Sequence, residues 1–166
     1  MGPETGGAPA SKHSKRSAAR LAAVQALYQM EMGGMDADTV ILEFISERFG
    51  HEIDGEEYPA ADQKLFADLV RGVVAHQMEI DPLVARTVSE DWALARLDAT
   101  LRALIRTATY ELMVRGDIPV KVVLSEYIDI AHAFFSGDEP GFANGVLDKV
   151  ARLVRPKSFG GNEQKR

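Results

Sequence analysis

Apolar residues recur at every third or fourth position through most of the chain, which is the spacing of an amphipathic α-helix. The clearest apolar face consists of Phe66, Leu69, Val70, Val73 and Val74. No segment shows the alternation of a convincing strand. Seven helical runs each begin near a residue that caps or opens helices, namely Ser17, Asp36 or Asp38, Asp62, Asp81, Asp98, Pro119 and Glu139. The pattern therefore predicts an all-α fold, a compact bundle of about seven helices.

The two ends of the chain differ in composition from the helical part. Residues 1–15 contain two prolines and hardly any large apolar side chain, so they predict a disordered basic arm. Residues 16–156 then form one all-α domain, and residues 157–166 form a disordered tail. A chain of 166 residues is long enough for one domain with a buried core.

The net charge of −6 is distributed unevenly along the chain. Residues 1–20 carry a net charge of +3 and residues 149–166 carry +5, whereas residues 21–148 between them carry −14. An acidic body of this kind argues against a protein that coats nucleic acid without specificity. It is compatible with one basic patch on one face.

The sequence offers little chemistry for catalysis. It contains no cysteine, which excludes disulfides, thiolate catalysis and cysteine-ligated zinc or iron–sulfur sites. The four histidines are scattered, and no Walker A, G-x-G-x-x-G or G-x-S-x-G motif is present. We therefore predict that the protein is not an enzyme and has no cofactor and no metal site.

Membrane and secretion signals are also missing from the pattern. No apolar run approaches the ~20 residues that a membrane span needs. Residues 1–16 lack the apolar stretch of a secretory signal. We therefore expect a cytoplasmic protein without membrane contact.

The basic start of the first helix is the clearest candidate for a binding site. Four cations, Lys12, Lys15, Arg16 and Arg20, lie within nine residues, and Tyr28 follows on the i+4 row of the two arginines. Guanidinium groups bind phosphate, and an aromatic face can stack on an unpaired base. The alternative interpretation is a solubilising tail with Tyr28 at the edge of the core.

The segment 138–145 is unusual for the start of a helix because it combines turn residues with the large apolar Phe142. One interpretation is a helix entry in which Phe142 acts as a hydrophobic staple. Gly145 follows Asn144 inside the predicted helix, where a glycine costs about 1 kcal/mol relative to alanine. Its presence there predicts the close approach of another helix or of a ligand.

Three segments, in this order and spacing, resemble the NusB family of bacterial transcription antitermination factors. They are Arg20 with residues 23–28, residues 104–112 with 118–123, and residues 142–149. The resemblance extends over residues 16–156, and the third segment is the most specific.

The resemblance implies an all-α fold of two helical subdomains. It also implies a heterodimer with NusE, a small-subunit ribosomal protein, which recognises single-stranded boxA RNA in ribosomal RNA leader transcripts. The pair then helps the RNA polymerase antitermination complex to read through terminators. The RNA-binding positions that the resemblance indicates are Lys12, Arg16, Arg20, Gln25, Tyr28, Asp138 and Phe142.

The resemblance places the contact with NusE near Leu101. Family members often carry an acid at that position, whereas this chain has leucine there and an acid at Asp98. An acidic body suits a basic ribosomal protein as partner.

Two alternatives remain open. One is a helical homodimer that hides its RNA face. The other is an accessory RNA-binding domain related to those of RNA cytosine methyltransferases, which would need a catalytic domain with a cysteine nucleophile. These 166 residues contain no cysteine.

Overall fold

Helices dominate the computed structural model, which describes residues 12–49, 52–53, 56–57, 61–89 and 92–159. The helices in these ranges are α1 (Lys12–Gly33), α2 (Ala37–Glu47), α3 (Gln63–Ala85), α4 (Ala99–Val114), α5 (Val120–Phe134) and α6 (Glu139–Val154), with a short 3-10 helix at Leu94–Arg96. The predicted all-α fold is confirmed. One small exception is a short antiparallel pairing of Glu52–Ile53 (β1) with Glu56–Glu57 (β2).

Three aspartates cap the helices that the sequence predicted them to cap. Asp36 accepts a hydrogen bond from the Thr39 amide at 2.8 Å. Asp62 accepts a hydrogen bond from the Leu65 amide at 2.9 Å, and Asp98 accepts one from the Thr100 amide at 2.8 Å. Each cap satisfies a main-chain donor that the first turn of a helix leaves without an intrahelical partner.

The predicted helix boundary at Asp81–Pro82 is wrong, because α3 continues through it to Ala85. Asp81 does not cap a new helix, since both of its carboxylate oxygens accept hydrogen bonds from Arg106 of α4 at 2.9 Å. Pro82 lies in the last turn of α3, where its missing N–H removes only one hydrogen bond. The buried residues Ile80 and Val84 continue the apolar face on either side of it.

The helices pack as two groups of three. Helices α1, α2 and α3 contact one another, as do α4, α5 and α6, and α4 joins the groups by packing against α1 and α3. Fully buried apolar side chains such as Val24, Phe66, Leu104 and Leu147 contribute to one continuous core. This arrangement agrees with the expected two helical subdomains.

Both ends of the domain are more helical than predicted. Helix α1 begins at Lys12, so residues 12–15 belong to it rather than to the arm. Residues 157–159 are also helical, and the guanidinium of Arg152 lies 4.4 Å from the centre of the Phe159 ring. The remainder of the predicted arm and tail, residues 1–11 and 160–166, lies outside the described residues.

Candidate nucleic-acid interface

The basic start of α1 presents two described cations. Lys15 is exposed and Arg16 is half-buried. The pKa of the Asp117 carboxyl is lowered, mainly by its hydrogen bond from Arg115 and to a smaller extent by the positive charge of Arg16. Arg16 therefore lies near the loop between α4 and α5. The side chain of Lys12 lies outside the described part of the chain.

Arg20, the fourth predicted cation, is inside the protein and not on the predicted surface. Only 1% of it is exposed. Its Nε and Nη2 donate to the Glu111 carboxylate at 2.8–3.0 Å, and its Nη1 donates to Glu126 at 3.2 Å. The Ser17 hydroxyl donates to the same Glu126 oxygen at 2.6 Å. The structure therefore removes Arg20 from the set of cations available to RNA phosphates.

Gln25 and Tyr28 lie further along α1. Gln25 is half-buried, and Tyr28 is 40% exposed. Twelve residues separate Tyr28 from Arg16, which corresponds to about 18 Å along a helix axis. The aromatic candidate and the basic candidates on α1 are therefore spatially separate.

Two ion pairs show that α1 and α4 run antiparallel. Arg20 pairs with Glu111 near the end of α4, whereas Glu31, close to the end of α1, pairs with Arg102 near the start of α4. The basic start of α1 therefore lies beside the end of α4. Tyr28 lies towards the opposite end of α1, beside the start of α4.

The two predicted contacts with a protein partner differ in exposure. Asp98 is exposed, and its Oδ1 already accepts hydrogen bonds from the amides of Thr100 and Leu101. Leu101 is only 2% exposed. Only Asp98 therefore presents its side chain to an approaching protein.

Phe142 is half-buried because another aromatic ring covers it. The ring of Trp92 stacks on Phe142 with 4.7 Å between centroids and 30° between planes, and Trp92 itself is 47% exposed. Beside Trp92 is a depression of about 310 Å³, which we call the aromatic recess; it is lined by Trp92, Arg96, Leu97, Asp98, Leu101 and Glu139.

Two neighbouring carboxylates occupy the start of α6. Asp138 is exposed and forms no capping hydrogen bond through its side chain. Glu139 lines the aromatic recess, and its Oε1 is buried without a hydrogen-bond donor from any described residue.

The sequence analysis missed Trp92. A signal was available, since it is the only tryptophan of the chain and follows Glu90 and Asp91 in a polar segment between helices. A large aromatic residue in such a segment either packs on a neighbouring element or contacts a ligand. Its partner Phe142 is 50 residues away, so the stack itself is not visible in the local pattern.

The predicted close approach at Gly145 is wrong within this chain. A Cβ atom added at Gly145 would have no described atom within 4 Å. The glycine that does pack closely is Gly72 of α3, where an added Cβ would lie 2.1 Å from Cζ of Tyr110. Gly145 is exposed on the outer face of α6.

Among the described residues, no group of three or more His, Asp or Glu side chains could hold a metal ion. No helix within the same ranges is long and apolar enough to cross a membrane.

Comparison with known proteins identifies the family. A profile of the NusB family matches residues 17–152. The chain is 50% identical over 147 residues to the transcription antitermination protein NusB of Allorhizobium ampelinum, covering 89% of this chain and 92% of the relative. It is 53% identical over 140 residues to that of Caulobacter vibrioides, covering 84% and 94%.

Solved structures give the same result for the fold. The structure of T. maritima NusB superposes with a TM-score of 0.72 at 28% identity, covering 92% of this chain and 99% of that one. A chain from the crystal structure of the antitermination factors NusB and NusE in complex with dsRNA superposes with a TM-score of 0.69 at 21% identity, covering 82% and 96%. With its profile match, its sequence identity and its helical architecture in agreement, the chain belongs to the NusB family.

Proposed function

We propose that this protein is a transcription antitermination factor that binds boxA RNA of ribosomal RNA leader transcripts together with NusE and promotes read-through by RNA polymerase. The observation that carries the proposal is the family match over residues 17–152, because relatives at about 50% identity are named transcription antitermination proteins. The role is one of binding rather than catalysis. Its place is the cytoplasm, where nascent transcripts are made.

The RNA contacts divide into two groups at the two ends of α1. Lys12, Lys15 and Arg16 hold phosphates at one end, and the aromatic contacts to unpaired bases lie at the other, through the exposed ring of Tyr28 and through Phe142 with the Trp92 ring stacked on it. The ~18 Å from Arg16 to Tyr28 corresponds to about five phosphates at the 3.4 Å spacing of a duplex strand. One short single strand is long enough to reach both groups.

Two polar candidates complete the RNA face. Gln25 lies between the two groups on α1, and its amide can donate to and accept from a base edge. Asp138 is exposed beside Phe142 and repels the RNA backbone, so Asp138→Asn should bind RNA equally well or more tightly.

The protein partner binds at the start of α4. Asp98 is exposed there, and residues 21–148 carry a net charge of −14, which complements a basic ribosomal protein. Leu101 contributes by supporting the surface from below, since it is buried.

The phosphate contacts are tested by the salt dependence of RNA binding. The variant Lys15→Ala/Arg16→Ala should reduce the slope of log K against log salt by about 1.4, since each single-strand phosphate contact contributes about 0.7. The charge-matched control, Arg86→Ala/Lys149→Ala, removes two exposed cations elsewhere and should leave the slope unchanged. The measurement is fluorescence anisotropy of labelled boxA RNA with NusE present. Equal slopes for the two variants would place the phosphate contacts elsewhere.

The partner contact is tested by sedimentation of the protein with and without NusE and boxA RNA. We expect a 1:1 complex with NusE that weakens as salt rises, because charge attraction is screened. A homodimer that dissociates when NusE is added would agree with the hidden-face alternative. Failure to form any complex at micromolar concentrations would contradict the proposal.

A further inference from the structure

The stack between Trp92 and Phe142 leaves one aromatic face open. Phe142 covers one face of the Trp92 ring, and the 47% exposure of Trp92 shows that much of its remaining surface is free. Phe142, by contrast, is half-buried and has Trp92 over it. The ring that an incoming planar group meets at this site is therefore Trp92. Because indole stacks on every base, this surface suits an unpaired nucleobase.

The aromatic recess has the size of a site for one small planar group. Its volume of about 310 Å³ is at the lower end of the range that small-molecule sites occupy. Leu97 and Leu101 contribute apolar floor, and both are less than a tenth exposed. A single base can stack on Trp92 and cover this floor.

Two carboxylates, those of Glu139 and Asp98, line the recess together with the guanidinium of Arg96. Oε1 of Glu139 is buried without a donor among the described residues, which is costly for a carboxylate oxygen. Oε1 lies beside Gly137, 3.0 Å from the position of a Cβ added there, so the side chain must rotate to bring both oxygens to the recess, which the broad terminal torsion of glutamate permits. Asp98, whose Oδ1 already caps α4, contributes a second carboxylate at the rim. A ligand that contacts the carboxylate of Glu139 must therefore present N–H donors to it.

Arg96 supplies the cation that a nucleotide needs. It is exposed at the end of the 3-10 helix and forms no ion pair with any described residue. Its guanidinium can hold the phosphate attached to a base that lies on Trp92. The phosphate then stays at the rim, away from Glu139.

We propose that the aromatic recess binds one unpaired guanine of the RNA, stacked on Trp92, with its N1–H and N2–H donors accepted by Glu139. This inference rests on the proposed RNA-binding function and adds a base-reading pocket to it. Guanine fits best because two parallel N–H donors match the two oxygens of one carboxylate, the mirror of an arginine fork. Adenine and cytosine present an acceptor beside their amino group, and uracil flanks its single N–H with two carbonyls.

The single tryptophan makes the site directly observable. Fluorotryptophan incorporated at position 92 gives one ¹⁹F resonance that reports on the recess in the full chain. We titrate it with uridine octamers that carry one central guanosine, inosine or uridine, and we follow overall binding in parallel by anisotropy of labelled octamers. The guanosine octamer should shift the resonance most, and it should bind about ten-fold more tightly than the inosine octamer, which lacks the 2-amino donor.

Variants separate stacking from edge recognition. Trp92→Ala should lower the affinity for the guanosine octamer by about five-fold to about a hundred-fold, and Trp92→Phe should retain part of the lost affinity. Leu42→Ala removes another exposed apolar side chain, on α2, and should have no effect. Glu139→Gln should reduce the preference for guanosine over inosine to near unity, whereas the matched Glu79→Gln on the exposed face of α3 should preserve it.

The outcomes distinguish this proposal from the function on which it rests. Binding by anisotropy without any shift of the ¹⁹F resonance overturns the recess and keeps the RNA-binding function. No binding by anisotropy in the presence of NusE contradicts both. A resonance that responds to NusE alone and not to RNA would assign the recess to the protein partner and overturn the proposal.

Discussion

The second half of α4 and the first half of α6 each carry one aromatic residue and one glutamate, yet the two glutamates are used in opposite ways. Residues 107–112 of α4 are all buried, including two threonines, a tyrosine and Glu111. Along residues 139–145 of α6, by contrast, Gly141, Asn144 and Gly145 are exposed, and Glu139 retains an acceptor without a donor. Helix α4 is covered by contacts from four other helices, α1, α3, α5 and α6. Within the α6 segment only Pro140 and Ala143 are buried.

The comparison separates charged residues that stabilise the fold from charged residues that remain available for binding. Glu111 receives three hydrogen bonds from Arg20 and is fully buried, so no ligand can reach its carboxylate. Glu139 has capacity left, and it lies beside an open aromatic ring. A charged residue whose partners lie within the chain stabilises the fold, whereas one whose partners are missing is a candidate for binding.

Among the substitutions around the buried half of α4, removal of Arg20 should cause the largest loss of stability. Arg20→Ala leaves Glu111 and Glu126 buried without their cation, and loss of one partner of a buried pair costs about 3–5 kcal/mol. Arg20→Lys keeps the charge but loses the paired N–H donors of the guanidinium, so its stability should lie between those of the parent and Arg20→Ala. Urea unfolding measures both. An Arg20→Ala protein of normal stability that no longer binds RNA would show that Arg20 acts at the surface instead.

Gly72→Ala should give the next largest effect. The added Cβ would lie 2.1–2.6 Å from three atoms of the Tyr110 ring, which is held in place by a 2.7 Å hydrogen bond from its hydroxyl to Asp68. Overpacking of this kind costs about 1–3 kcal/mol and outweighs the helix propensity that alanine gains. The measurement is the urea midpoint, with Gly145→Ala as the matched control. An unchanged midpoint would mean that the ring can move aside.

The sequence was sufficient for features that neighbouring residues determine. Asp36, Asp62 and Asp98 cap the helices they precede because the donors they satisfy are two or three positions away. The helical spacing likewise predicted the buried face of α3 correctly, except that Val74 at its edge is 47% exposed. The order and spacing of three segments identified the family before any contact was known.

Features that depend on distant residues were not predictable from local pattern. Arg20 resembled a surface cation because its acceptor, Glu111, is 91 residues away. Asp81 resembled a helix cap because its actual partner, Arg106, lies on the next helix. A signal for the first case did exist: Glu111 interrupts an otherwise apolar run between Tyr110 and Leu112, which indicates a buried acid in need of a cation.

High pH should lower the stability of the protein through the buried Tyr110 of α4. Burial, followed by the hydrogen bond to Asp68, raises the pKa of Tyr110 to about 12. The unfolded chain loses this proton near pH 10, whereas the native protein keeps it until about pH 12. The contribution to stability is therefore complete below pH 10 and is lost as the pH rises towards 12.

Tyr110→Phe tests this dependence. The variant should lose about 1 kcal/mol at neutral pH, because the hydrogen bond to Asp68 is gone. Above pH 10 its stability should fall less steeply than that of the parent. The stability of the variant should still fall somewhat above pH 10, because burial and the charge of Glu111 also raise the pKa of Tyr127. If the stabilities of the variant and the parent fall in parallel between pH 9 and 11, Tyr110 is not the group that causes the loss.

Gly145→Ala should have the smallest effect, and in the opposite direction. Because no described atom lies within 4 Å of the added Cβ, the substitution meets no steric resistance in the free protein. Alanine is favoured over glycine inside a helix by up to about 1 kcal/mol, so the urea midpoint should rise. The same variant then reports on the open region, since a methyl group on the outer face of α6 obstructs only a molecule that approaches from outside. If Gly145→Ala is more stable than the parent but binds boxA RNA or NusE more weakly, the glycine serves a contact with that ligand. If stability falls instead, the outer face of α6 is closed by the chain itself, and the contrast with α4 fails at this position.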